Sequence, residues 1–201
     1  MIAIIDYDAG NIMSVVKAFQ YLKEDVILTR DRDELLKADK LVLPGVGCFK
    51  DAVDNLRKYD LESVIKECVA AGKPFLGICL GMQLLFEESE ESPGVKGLGL
   101  LPGKCIKIPE DRGLKVPQIG WNSLEFPNKS RLLAGLPEGA FVYFVHSYYI
   151  SAKEPTDVSA TTEYGVTVHA ACERGNIFGC QFHPEKSSDV GLKILKNFAE
   201  L

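Results

Sequence analysis

No apolar run in the chain approaches the roughly 20 residues that a membrane-spanning helix requires. The opening Met1-Ile2-Ala3-Ile4-Ile5-Asp6 meets an acid at once, with no basic segment and no small-residue cleavage site. The expectation is a soluble, cytoplasmic protein with no membrane partner. A basic excess is also missing: 23 Lys and Arg face 28 Asp and Glu, for a net charge of −5. The cations are scattered among acids rather than gathered into a stripe, so nucleic acid is not an expected partner. None of the six cysteines stands in CxxC spacing, which removes the usual signal for zinc, and no metal is expected. Without a secretion signal, free thiols are a better reading than three disulfides. Histidine is scarce, with three in 201 residues. There is no internal repeat, low-complexity tract or interdomain linker, and a single domain over residues 1–201 is expected.

What is present is an alternation of short apolar runs with amphipathic stretches. Strands are expected at Ile2–Ile5, Val26–Leu28, Leu41–Leu43 and Pro74–Ile78. Helices are expected at Asn11–Lys23, where Ile12, Val15, Val16, Phe19 and Leu22 recur at helical spacing, at Arg32–Lys37 and within Phe49–Ala71. Strands interleaved with helices indicate a parallel sheet covered on both faces. A further helix begins near Leu80 and should end in the acidic run Glu87–Gly94. The second half is β-rich, with segments at Cys105–Ile108, Val116–Trp121, Phe141–Ser147, Val158–Thr162, Val166–Cys172 and Ile177–Phe182, before a closing helix over Asp189–Ala199. The predicted fold class is α/β, a three-layer, largely parallel central sheet flanked by helices, with an antiparallel β extension.

The strongest local signal is Gly77-Ile78-Cys79-Leu80-Gly81, a G-x-C-x-G pattern directly after an apolar strand and directly before a helical run. It reads as a nucleophile elbow with cysteine in place of serine. Flanking glycines permit a sharp turn, and a helix starting at Leu80 aims free N–H groups at the thiol, favouring the reactive thiolate. A buried cysteine in a glycine-rich turn is the alternative. A cysteine nucleophile needs a base, and the base an orienting group. His183, in Phe182-His183-Pro184-Glu185, stands at the end of an apolar segment with a carboxylate two residues on. His146 and His169 could each take the base position, but neither is followed by a nearby carboxylate, so both rank below His183. After the third strand, the two glycines of Pro44-Gly45-Val46-Gly47 allow backbone N–H groups to face a developing oxyanion. By itself this could be an ordinary turn. Beside the elbow, the Gly47 N–H, after a peptide rearrangement if one is needed, would work with that of Leu80.

With these residues assembled, the chain resembles the class I, triad-type glutamine amidotransferases, and within them the glutaminase subunits that serve imidazole glycerol phosphate synthesis in histidine biosynthesis. The branch rests on Asp6-Tyr7 with Gly10-Asn11, Pro44-Gly45-Val46-Gly47, the extended elbow Gly77–Phe86, Gly120-Trp121-Asn122, Tyr143–Tyr149 and Glu185-Lys186-Ser187. Asp8-Ala9, and Cys48 with Lys50, depart from the pattern and bear on the fine geometry of the partner face. The resemblance implies that Cys79 attacks the carboxamide of L-glutamine, His183 transfers protons and Glu185 orients His183. It implies that Gly45, Val46, Gln83, Glu91, Ser147 and Tyr148 hold the substrate. Gln83 and Glu91 could instead be plain helix surface, and Tyr148 core. No cofactor is implied. The implied partner is a (β/α)8-barrel synthase subunit that receives ammonia and activates the glutaminase, met by Asn11, Trp121, Tyr143 and Lys186. An ordinary reading buries Trp121 and Tyr143 in the sheet. Glutaminases serving anthranilate, carbamoyl phosphate or pyridoxal phosphate synthesis, a non-catalytic regulatory relative, and a hydrolase of γ-glutamyl compounds that needs no partner are the competing readings.

Overall fold

The computed structural model describes residues 1–201, the side chain of Arg112 apart. The first half builds four parallel strands. These are β1 (Ile2–Ile5), β2 (Val26–Thr29), β3 (Lys40–Leu43) and β4 (Phe75–Ile78). They are joined by α1 (Ile12–Tyr21), α2 (Arg32–Lys37), α3 (Phe49–Lys58) and α4 (Leu61–Ala70). Strands β1 and β4 are buried at every position, the pattern of a sheet covered on both faces. Successive side chains leave a strand on opposite faces. Ala3 and Ile5 accordingly join one core with Phe49, Val53, Leu56, Val64 and Ile65, while Ile2 and Ile4 join another with Val15, Phe19, Leu195 and Phe198. The result is the expected three-layer arrangement.

Helix α5 (Leu80–Leu84) follows β4 and is shorter than the sequence suggested. The acidic run after it folds back as a two-residue strand, β5 (Glu88–Ser89), which pairs with β6 (Gly103–Lys107). The remaining strands are β7 (Gln118–Ser123), β8 (Phe141–His146), β9 (Tyr148–Ala152), β10 (Val158–Glu163), β11 (Thr167–Arg174) and β12 (Ile177–Cys180). Helix α6 (Ser188–Ala199) closes the chain. The main sheet runs β2-β1-β3-β4-β12-β11-β9-β6-β5, with β10 beside β11. Pairing is parallel from β2 through β12 and antiparallel from β12 through β6.

Two expectations need correction. Strand β9 has no counterpart in the sequence reading, because only Ser147 separates it from β8 and no turn residue marks the break. Strands β7 and β8 extend no sheet; they form a separate two-stranded ribbon. The placement that matters most is β12 directly beside β4, with Cys180 opposite Ile78. The residue after each strand is thus delivered to the same edge.

Candidate active site

Cys79 follows β4 with φ 54° and ψ −110°, a conformation that non-glycine residues avoid and that marks stored strain. The flanking glycines therefore serve a different purpose from the one expected. A Cβ on Gly77 would lie 2.6 Å from the Gly81 carbonyl oxygen, and one on Gly81 would lie 1.8 Å from that of Leu43. They permit close backbone packing, while cysteine itself bends. The bend is held by the Cys79 N–H donating to Cys180 O at 2.7 Å and the Gln83 N–H donating to Cys79 O at 3.2 Å. Helix α5 has five residues, so its dipole is a smaller aid to the thiolate than a long helix would be.

His183 is buried, its N–H donating to Tyr143 O at 2.9 Å while its carbonyl accepts from the Ser187 hydroxyl at 2.7 Å. Its Nδ1 lies 2.8 Å from Glu185 Oε1, and both side chains are nearly sealed from solvent. Pro184 begins a single 3-10 turn that carries Glu185 back under the ring. Asn11, expected on the partner face, donates through Nδ2 to the same Glu185 oxygen at 3.0 Å and receives the Ser14 hydroxyl on Oδ1. Burial pushes the His183 imidazole toward its neutral form. The Cys79 sulfur and the Glu185 carboxylate outweigh burial and lift it to about 10. The Cys79 sulfur is the strongest of the influences that raise it, and among the described residues Nε2 meets no other partner. A ring bound at Nδ1 and unspent at Nε2 is arranged to move a proton at Nε2.

A pocket of about 350 Å³ opens on Cys79. Val46, Gly47, Leu80, Gln83, Glu91, Ser147 and Tyr148, all expected at the site, line it together with Pro117, Val145 and His146. Gln83 and Glu91 are not helix surface. Gln83 is buried, and the Glu91 carboxylate accepts the Phe49 N–H at the start of α3. Tyr148 is half-buried at the pocket rather than packed in the core. Gly45 is absent from the lining. It packs behind it, where a Cβ would meet the Tyr7 hydroxyl at 2.3 Å. Its carbonyl accepts the Leu80 N–H at 3.3 Å, so that donor is engaged rather than free. Gly47 has φ 108°, which its lack of a side chain allows. Tyr7 ties the same segment down by donating to Pro44 O at 2.7 Å; burial and then the nearby Cys79 push its phenol far above the usual range.

The other two histidines fall outside the base position. His146 has both ring nitrogens engaged, Nδ1 on Tyr148 O and Nε2 on the Gln118 amide, each at 2.9 Å, and burial lowers its pKa to about 4. His169 sits on β11, where its Nδ1 faces the Ala152 N–H at 3.2 Å. The six cysteines are free thiols, and among the described residues no cluster of His, Cys, Asp and Glu has the makings of a metal site. Trp121 and Tyr143 lie opposite one another on the ribbon, ring centroids 6.2 Å apart; Trp121 is half exposed, and neither is buried in the main sheet. Lys186 is exposed. The sequence reading missed Gln181, whose Nε2 lies 3.7 Å from Cys79 Sγ. It stands two residues before His183, and only its complete burial distinguishes it.

A family model described as glutamine amidotransferase class-I matches residues 3–201. Imidazole glycerol phosphate synthase subunit HisH of Moorella thermoacetica is 52% identical over 200 residues, spanning 100% of this chain and 94% of that protein. The same subunit of Streptococcus sanguinis is 50% identical, spanning 100% and 96%. Among solved structures, one described as a glutamine amidotransferase superposes with a TM-score of 0.76 at 20% identity over 99% of both chains. PurLQS from Thermotoga maritima gives 0.74 at 18% identity over 99% and 97%. These two speak to the fold.

Proposed function

The chain belongs to the class I glutamine amidotransferases, and we propose that it is the glutaminase subunit of imidazole glycerol phosphate synthase, hydrolysing L-glutamine through Cys79, His183 and Glu185. The observation that supports this chemistry best is the His183–Glu185 contact at 2.8 Å, standing one strand from a cysteine held at φ 54°. The pathway is supported by the HisH relatives, which match the chain from end to end.

Cys79 passes its thiol proton to His183 Nε2 as its Sγ attacks the side-chain carbonyl carbon of glutamine, and the oxygen becomes an oxyanion in reach of the Leu80 and Gly47 N–H groups. Collapse expels ammonia, which takes its proton from His183 Nε2, and leaves a glutamyl thioester. Neutral His183 then removes a proton from water as it attacks the thioester; glutamate departs and the proton returns to the Cys79 sulfur. Glu185 holds the ring by Nδ1 and stabilises the imidazolium. Glu91 offers a carboxylate to the substrate's ammonium, while Val46, Gln83, Ser147 and Tyr148 shape the wall around it.

In this reading the engaged Leu80 N–H is the resting state. The oxyanion site forms when the Gly45 carbonyl moves off that donor, and a (β/α)8-barrel synthase subunit docking beside it drives the change. The docking face is the outer side of the ribbon. Ile119, Trp121 and Phe141 are each at least half exposed there, and Tyr143 is half-buried beside them. The ribbon adjoins the turn holding Pro184–Lys186, which in turn adjoins α1, so Asn11 and Lys186 border the same face. Glutaminase rates with and without a histidine-pathway barrel subunit test the reading: stimulation is expected, and an unchanged rate would overturn the assignment.

A further inference from the structure

Gln181 is completely buried, a costly place for a primary amide unless its hydrogen bonds are met. Its Nε2 lies 3.7 Å from Cys79 Sγ, and its Oε1 accepts from Gln83 Nε2 at 3.0 Å. The orientation of both amides follows from one fixed group. Gln83 Nε2 also lies 2.9 Å from the Tyr148 carbonyl, which can only accept. Nitrogen must therefore occupy that position of Gln83, oxygen must face it from Gln181, and the remaining Gln181 N–H points at sulfur. On its other side the sulfur faces the Val145 carbonyl at 3.9 Å. The two neighbours favour opposite states of the nucleophile. The carbonyl accepts from a neutral thiol, whereas the amide donates to a thiolate.

We infer that Gln181, oriented through Gln83 by the Tyr148 carbonyl, stabilises the Cys79 thiolate and so sets how much of the nucleophile is reactive at neutral pH. This rests on the proposed role of Cys79. A hydrogen bond to a charged acceptor is stronger than one to a neutral acceptor, and stronger still in a dry interior. The chain Tyr148–Gln83–Gln181–Cys79 also joins the pocket wall to the sulfur.

The test is the pH dependence of Cys79 alkylation by iodoacetamide, followed on the Cys79 peptide by mass spectrometry, in the full chain and in Gln181→Met. Methionine keeps the length and removes the donor. His183, Tyr7 and Cys180, the titratable groups electrostatically coupled to Cys79, are unchanged. The alkylation midpoint should move to higher pH by about one unit, and alkylation at pH 7 and kcat should each fall about tenfold, with KM for glutamine nearly unchanged. Superimposable alkylation profiles would overturn the inference. Should Gln181→Met fail to fold, the side-chain amide of Gln181 in the unaltered chain, observed by ¹⁵N resonance, should move as Cys79 titrates; an unmoved resonance would overturn it equally. Glutamine hydrolysis that survives complete alkylation of Cys79 would overturn the proposed function, and this inference with it.

Discussion

His146 and His183 lie within electrostatic reach of each other, and burial pushes both toward the neutral form. His183 escapes because Cys79 and Glu185 stand beside it; His146 has only a carbonyl and an amide, and stays neutral. A histidine whose pKa falls from 6.5 to about 4 on folding stabilises the fold fully above pH 6.5, and that contribution drains away as pH drops toward 4. It amounts to roughly 3 kcal/mol across the interval. Urea unfolding at pH 7 and pH 4.5 should show a steeper loss in the unaltered chain than in His146→Gln, and parallel losses would refute the contribution. The sign reverses for His183. Its raised pKa gives stability that is complete below 6.5 and disappears as pH climbs through about 10. Glu185→Gln removes the anion that fixes the ring, and kcat of the complex should fall about a hundredfold or more. A change under threefold in steady-state glutamate release would deny Glu185 its orienting role.

Elements bring these residues together through contacts that tolerate almost no added volume. A Cβ on Gly191 of α6 would lie 1.9 Å from the Pro184 carbonyl oxygen, so the last helix presses on the turn that carries Glu185. Gly81 is tighter still against β3. We expect Gly81→Ala to cost about 3 kcal/mol or more, since backbone rather than a flexible side chain must yield. Thermal unfolding should show the loss, and an unchanged Tm would mean the β3–α5 approach is looser than described. The parallel half of the sheet was legible because Ile2–Ile5, Leu41–Leu43 and Phe75–Ile78 are short, wholly apolar runs separated by helical patterns. Strands β5 and β9 were not. Glu88–Ser89 is two polar residues whose partner lies 16 positions away, and Ser147 turns the chain from ribbon to sheet without glycine or proline. The Cys79, His183 and Glu185 grouping was legible because each sits in a local pattern. The Asn11–Glu185 bond, the Gln181–Cys79 contact and the Gly45 carbonyl on Leu80 join distant segments, and no local pattern encodes them.

As a whole, the molecule places its reactive pocket, lined by Val145 and His146 of β8, beside the side of the ribbon that exposes Ile119, Trp121 and Phe141. Among the described residues seven large apolar side chains are exposed; Ile119, Trp121 and Phe141 share the ribbon, with Met13 near the start of α1. A half-exposed tryptophan edge-on to Tyr143 has the character of an interface anchor. Trp121→Ala should weaken binding of the synthase subunit by about 2 kcal/mol, near thirtyfold in Kd, while leaving the Tm of the isolated chain within a degree or so. Calorimetric titration separates the cases: unaltered affinity would move the interface elsewhere. With Cys79 as its nucleophile, as proposed, the chain is half of an enzyme and produces ammonia for a synthase subunit. The most direct test is Cys79→Ala assayed in complex with the synthase subunit, measuring glutamate release from glutamine alongside imidazole glycerol phosphate formation from free ammonia. No glutamate and undiminished ammonia-dependent synthesis are expected; glutamate release continuing in the variant would contradict Cys79 as the nucleophile.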